Sequence, residues 1–153
     1  MSNFSAADAE ALFSAIRSRA KKLAVFSAVI GHDPENAPPA GVACSVMLGP
    51  VKPVTSSGLA AVSGQVTLMV HVWAFAQKRP LDELDPQVLA ATCALMGAFA
   101  GDFTLNGTVR EVDLFGMSAE PGYVNFQDKE FRTMQISLPV VINDMFQEVA
   151  ADG

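Results

Sequence analysis

Two histidines, two cysteines and a scatter of carboxylates are the side chains of this sequence that could do chemistry. His32 stands in the run Gly31-His32-Asp33-Pro34-Glu35-Asn36-Ala37-Pro38-Pro39, and His71 stands in an apolar run two positions before Trp73. Zinc takes three or four Cys, His or carboxylate ligands at favourable spacing, and neither Cys44 nor Cys93 has a second ligand close by. His32, Asp33 and Glu35 could in principle touch one cation, but a plain turn in which Asp33 makes local hydrogen bonds explains the same residues. Glu111 and Asp113 fall on one face of an expected strand, and Asp82, Glu83 and Asp85 share an expected loop. Two carboxylates serve as general acid and base only where their surroundings separate their pKa values. The neighbouring residues supply no such surroundings, so a solvated charged face is expected. The phosphate-binding, dinucleotide-binding and nucleophile-elbow glycine motifs are all missing. No catalytic, cofactor-binding or metal-binding residue is therefore expected, and the chain reads as a protein other than an enzyme.

What the sequence offers instead is apolar surface. From Val62 to Phe75 the residues alternate as a long strand. One face carries Val62, Gly64, Val66, Leu68, Val70, Val72 and Ala74, and the other ends in Met69, His71, Trp73 and Phe75. A sheet covered by helices on one side keeps its other side polar, so the second face asks for a cover. Either another layer of the same chain or a partner subunit could provide it. Met69, His71, Trp73 and Phe75 are accordingly candidate subunit-interface residues. Trp73 alone admits three roles: interface anchor, core residue or stacking platform for a ligand.

Composition points the same way. Half of the 153 residues are hydrophobic and 17% are charged, against the roughly 25% usual in soluble domains, and burial between subunits would account for the deficit. Net charge is −6, with five basic and four acidic side chains before residue 77 and five basic and twelve acidic ones from there on. Such a balance gives no general attraction to nucleic acid. The one basic cluster, Arg17, Arg19, Lys21 and Lys22, suits the end of a helix, where cations complement the dipole, or a contact with an acidic partner. No apolar run approaches the roughly 20 residues of a membrane helix, and the amino terminus lacks the basic-then-apolar order of a signal peptide. A soluble protein made in the cytoplasm is expected, with Cys44 and Cys93 as buried free thiols.

These residues need elements to hold them. Ser5 and Asp8 read as a capping box opening a helix with Ala9, Leu12, Phe13, Ile16 and Ala20 on one face, ending near Lys22. Val25 to Ile30 reads as a short strand, and Val42 to Leu48 as another that Pro50 and Pro53 close. Asp85 and Pro86 read as N-cap and first residue of a second, central helix through Val88, Leu89, Cys93, Leu95, Met96 and Phe99, with Gly101 at its end. Leu105 to Thr108 is expected to turn tightly into a strand over Val109 to Leu114. Phe131 to Ile142 is a second long strand with Arg132, Met134, Ile136, Leu138, Val140 and Ile142 toward the core, and Pro139 places that end at a sheet edge. One domain over residues 1–153 is expected, with residues 145–153 as a flexible tail.

This layout resembles the tail terminator proteins of long-tailed phages with non-contractile tails. The resemblance is carried by Val66 to Phe75 leading through Asp85-Pro86 into the helix, by Val109 to Asp113, and above all by GYVNFQDKEFRTMQISLPVVIND from Gly122 to Asp144. It covers most of the chain without an invariant motif. It implies an α+β fold, a mostly antiparallel sheet with two main helices packed on one face, in a single domain assembling into a ring. The ring implied is a homo-oligomer of six that caps the tail tube, ends its polymerisation and meets head-completion or connector proteins. DNA would pass the channel without specific binding, no membrane is involved, and the site is the neck end of the virion tail after assembly in the host cytoplasm. Two other readings stay open: another neck or tail component such as a tube or head-tail joining protein, and a small dimeric ligand-binding domain or enzyme with a cleft near His71 and Trp73.

Overall fold

Period-two apolar patterning makes the two longest strands, and their pairing sets the frame for the rest. The structure is a computed structural model and describes residues 4–30, 41–54, 61–76, 81–102 and 104–147. Its elements in order are α1 (Ala6–Lys22), β1 (Ala28–Ile30), β2 (Val42–Val54), β3 (Ala61–Phe75), α2 (Leu81–Ala100), β4 (Glu111–Val112), β5 (Ser118–Phe126) and β6 (Lys129–Gln147). They form one α+β domain. The sheet runs β1-β2-β3-β6-β4, with β5 also paired to β6, and only the β1–β2 pair is parallel.

Register explains where the core sits. Across β2, β3 and β6 the residues line up in rows, Cys44–Val72–Met134, Val46–Val70–Ile136 and Leu48–Leu68–Leu138, all on one face of the sheet. Val46, Val70, Ile136, Leu68 and Leu138 are fully buried there. Each such side chain contributes on the order of 1.5–3 kcal/mol by leaving water. Both helices pack on this face, α1 through Leu12, Ile16 and Ala20, and α2 through Leu84, Val88, Leu95 and Phe99.

Local signals are realised where they depend on nearby residues. Ser5 caps α1: its hydroxyl accepts from the Asp8 amide at 3.2 Å while the Asp8 carboxylate accepts from the Ser5 amide at 2.9 Å. The turn at Leu105-Asn106-Gly107 has three successive positive φ angles of 47°, 57° and 82°.

Elsewhere the structure corrects the sequence reading. β2 does not close at Pro50 but continues to Val54 through a bulge between Leu48 and Val51. Gly49 makes the bulge possible, because a Cβ there would lie 2.5 Å from the Thr67 carbonyl oxygen. α2 begins at Leu81, so Pro86 sits inside the helix and Asp85 is no N-cap. Buried Leu84 and the ion pair from Asp85 to Arg132 at 2.8 Å hold the turn ahead of the proline, offsetting the one ladder bond that Pro86 lacks. Pro139 is not at an outer edge but in β6, paired with Thr67 on one side. Its carbonyl accepts from the Asp113 amide at 2.9 Å. Its ring nitrogen therefore faces that same side, where the reciprocal bond to the Asp113 carbonyl is missing and that carbonyl accepts from the Gly116 amide at 3.2 Å instead. The Val109–Leu114 strand shrinks to Glu111–Val112. β5 had no counterpart in the sequence reading; it forms a hairpin with β6 through Gln127 and Asp128 at φ 52° and 63°, a two-residue turn without the usual glycine. Met145 to Gln147, expected in a tail, belong to β6, while residues 148–153 lie outside the described residues.

One ion pair joins the end of α1 to the turn after α2: Arg19 donates to the Asp102 carboxylate, which also accepts from the Asn106 amide at 3.1 Å. The Arg19 hydrogen bond first, then the Asn106 amide, hold Asp102 below its ordinary value of 3.8, against a smaller upward push from burial. A carboxyl depressed in this way stabilises the fold above its unfolded pKa and loses that contribution as pH falls through the folded one. Thermal unfolding of Asp102→Asn against wild type should thus show a lower midpoint for the variant at pH 7. The gap should close as pH is taken below 3.8.

Candidate functional site

The candidate surface is built on two faces, and they differ in how much the chain covers for itself. On the outer face of β3, Trp73 is only 5% exposed. It packs with Ala43 and Phe131, and Ala28, Phe75 and Val124 close around them. Those neighbours stand in two adjacent cross-strand rows of one face, Ala28–Ala43–Trp73 and Phe75–Phe131–Val124, so Trp73 is buried among side chains of its own sheet. Trp73 stands edge-on to Phe131 with ring centroids 5.9 Å apart and to His71 at 5.6 Å. Its indole nitrogen donates to Ser45 Oγ at 2.9 Å, satisfying a buried donor. Of the four residues read as an interface, Trp73 is thus packed within one chain, while Met69, His71 and Phe75 stay partly exposed beside it. Lys129 lies over the Phe75 ring at 5.7 Å.

The basic cluster of α1 is divided. Arg17 pairs with Glu10 at 3.2 Å and Arg19 with Asp102, whereas Lys21 and Lys22 are exposed. The carboxylates are dispersed as well. Glu111 pairs with Arg110 at 3.5 Å, Asp113 accepts from the Gly116 amide at 3.1 Å, and Asp85 is held by Arg132. Among the described residues no group of three or more His, Cys, Asp or Glu could hold a metal ion. His32, Asp33 and Glu35 lie outside the described residues. The cysteines part company: Cys44 is buried, and burial pushes its thiol up to about 12, whereas Cys93 is exposed rather than buried.

Cys93 marks what the sequence reading missed. α2 is not a central helix; its far side faces outward with Pro86, Leu89, Ala90, Cys93, Gly97 and Ala100. Leu89 is 54% exposed. No charged residue occurs from Pro86 to Ala100, and this signal was present in the sequence but reads equally as burial within one chain. A cleft of about 400 Å³ lies along one flank, lined by Pro86, Val88, Leu89, Pro121 and Met134 with Asp85 and Arg132 at its rim. A second of about 310 Å³ lies along the other, lined by Val25, Val42, Gln87, Ala90 and Ala91. Far from both, Phe115 stands at a turn with 102% relative exposure.

The Trp73–Ser45 bond tests whether the aromatic end of the sheet is structural. Ser45→Ala leaves a buried indole N–H without its acceptor and should cost about 1–3 kcal/mol in denaturant unfolding. In the Ser45→Ala, Trp73→Phe double variant the losses should fall short of the sum of the two single ones.

No family model matches the chain, and no curated protein matches it. Solved structures do. One similar chain is the sheath/tube terminator of an extracellular contractile injection system in its extended state, at 13% identity and a TM-score of 0.45 over 96% of this chain. This chain spans 61% of the length of that one. Another is a chain of the virion of a native gene transfer agent particle, at 16% identity and a TM-score of 0.44, covering 90% of this chain and 98% of that one.

Proposed function

We propose that this chain is a tail terminator, whose copies join in a ring that caps a tail tube, ends its polymerisation and offers a joining surface to head-completion or connector proteins. The ring number taken from the sequence resemblance is six, and its place is the neck end of the virion tail after assembly in the host cytoplasm. The observation that carries this reading is the outer side of α2, exposed and uncharged from Pro86 to Ala100, with an apolar cleft along each flank. An exposed uncharged helix face with Leu89 open to solvent supports contact with another protein. Met69, His71 and Phe75 form a second proposed contact between subunits. A net charge of −6 suits a channel through which DNA passes without sticking. No residue is assigned a catalytic part.

The direct test is to add the purified chain to polymerising tail-tube subunits and measure tube lengths by electron microscopy. Shortened tubes, each with a ring at one end, are expected. Tubes that grow to their usual lengths with bare ends would contradict the reading.

A further inference from the structure

The sheet has two open edges, and hydrogen bonds at its margins fix which residues face out of each. The Ala76 amide donates to the Glu130 carbonyl at 2.9 Å, so even-numbered residues of β3 and β6 face one another along their shared register. Odd-numbered residues of β6 face the other way, where the Pro139 and Val141 carbonyls accept from the Asp113 and Arg110 amides. β5 sets Ser118, Glu120, Gly122, Val124 and Phe126 against those odd positions. Ala119, Pro121, Tyr123 and Asn125 therefore turn their backbone groups outward, where among the described residues no strand pairs with β5.

β2 is open in the same way past Ser45, the last residue that β1 covers among the described residues. Odd-numbered residues of β3 face β2, meeting Ala43, Ser45 and Met47 before the bulge and Lys52 and Val54 after it. Leu48, Val51 and Pro53 are left facing outward.

An open edge invites another strand, because its outward residues offer unpaired N–H and C=O groups. Both edges have the side chains for such a contact. Leu48, Val51 and Tyr123 are exposed on them, and the runs VMLGPVKPV and GYVNF carry one charge between them, at Lys52. Yet Pro121 holds an outward place in the middle of β5 and Pro53 one near the end of β2, and proline has no N–H to give. On β5 this leaves Tyr123 and Asn125 as the longest run of complete outward groups. On β2 the bulge separates Leu48 from Val51, and Pro53 follows at the next outward place. Neither proline takes a bond from its own sheet, since the missing donor lies on the outward side.

We infer that Pro121 and Pro53 bar copies of this chain from joining edge to edge, so that the sheet does not grow by adding strands of further copies. This barrier holds for a lone chain and for a ring alike, and its loss would leave the proposed ring standing.

Pro121→Thr restores an outward N–H at an exposed position and should leave the wild-type circular dichroism and thermal midpoint in place. The folded variant should form thioflavin-binding polymers, seen by electron microscopy, at a concentration roughly fivefold or more below any at which wild type does so. Pro53→Thr should do the same at the other edge. Adding Asn125→Pro to the Pro121→Thr chain removes a different outward N–H from the same edge and should return it to the wild-type threshold. Pro121→Thr and Pro53→Thr chains that both stay as dispersed as wild type overturn the barrier. Polymers that form only with loss of the native circular dichroism, or that Asn125→Pro leaves unchanged, also overturn it, because they are not built on the edge of the folded sheet.

Discussion

β3 is paired along both edges, with β2 on one side and β6 on the other, and every other element is placed by that arrangement. Once Val66, Leu68, Val70 and Val72 face one way, register sends Val46, Ile136, Leu138 and Val140 to the same face, because a slip of one residue would turn each row inside out. The helices then have one surface to cover. α1 and α2 do so, and the ion pairs Arg19–Asp102 and Asp85–Arg132 fix their ends to the turn after α2 and to β6. The second pair is further held by the Gly122 carbonyl, which accepts from Arg132, and by the Tyr123 ring beneath the guanidinium at 4.5 Å.

The same rigid sheet explains why one outer surface is closed and another open. Cross-strand neighbours on β1, β2, β5 and β6 pack around Trp73, so that residue is buried within the chain. Among the described residues nothing comparable stands over α2. The helix uses Leu84, Val88, Leu95 and Phe99 for the core and still turns Leu89, Ala90 and Cys93 outward. This is the face that the proposed assembly would take out of water.

Features set by near neighbours were legible in the sequence. The capping box of Ser5 and Asp8, the alternation of β3 and β6 and the turn at Leu105 to Thr108 all follow from residues a few positions apart. Features set by distant ones were not. Continuing β2 past Pro50 depends on how closely Gly49 approaches Thr67, the first turns of α2 depend on Arg132, and the place of Pro139 depends on where β5 and β4 end. The candidate surface was legible only in part. Trp73 reads as an anchor until the strands beside β3 are known, and Phe115 is one of ten phenylalanines whose exposure no local pattern reveals. Absence of charge from Pro86 to Ala100 was visible throughout, but burial inside one chain and burial between chains leave the same trace in a sequence.

In the proposed ring the outward side of α2 is covered, and Cys93 lies on that side as a built-in reporter. Cys44, buried with its thiol pushed up to about 12, should stay silent toward a thiol reagent. The most direct measurement is the rate of labelling of the wild-type thiol by such a reagent across protein concentrations and after mixing with tube subunits. One fast-reacting thiol per chain is expected at high dilution, becoming strongly protected as assembly proceeds. A Cys93 that reacts at the same rate at every concentration, while light scattering records a ring, would contradict it.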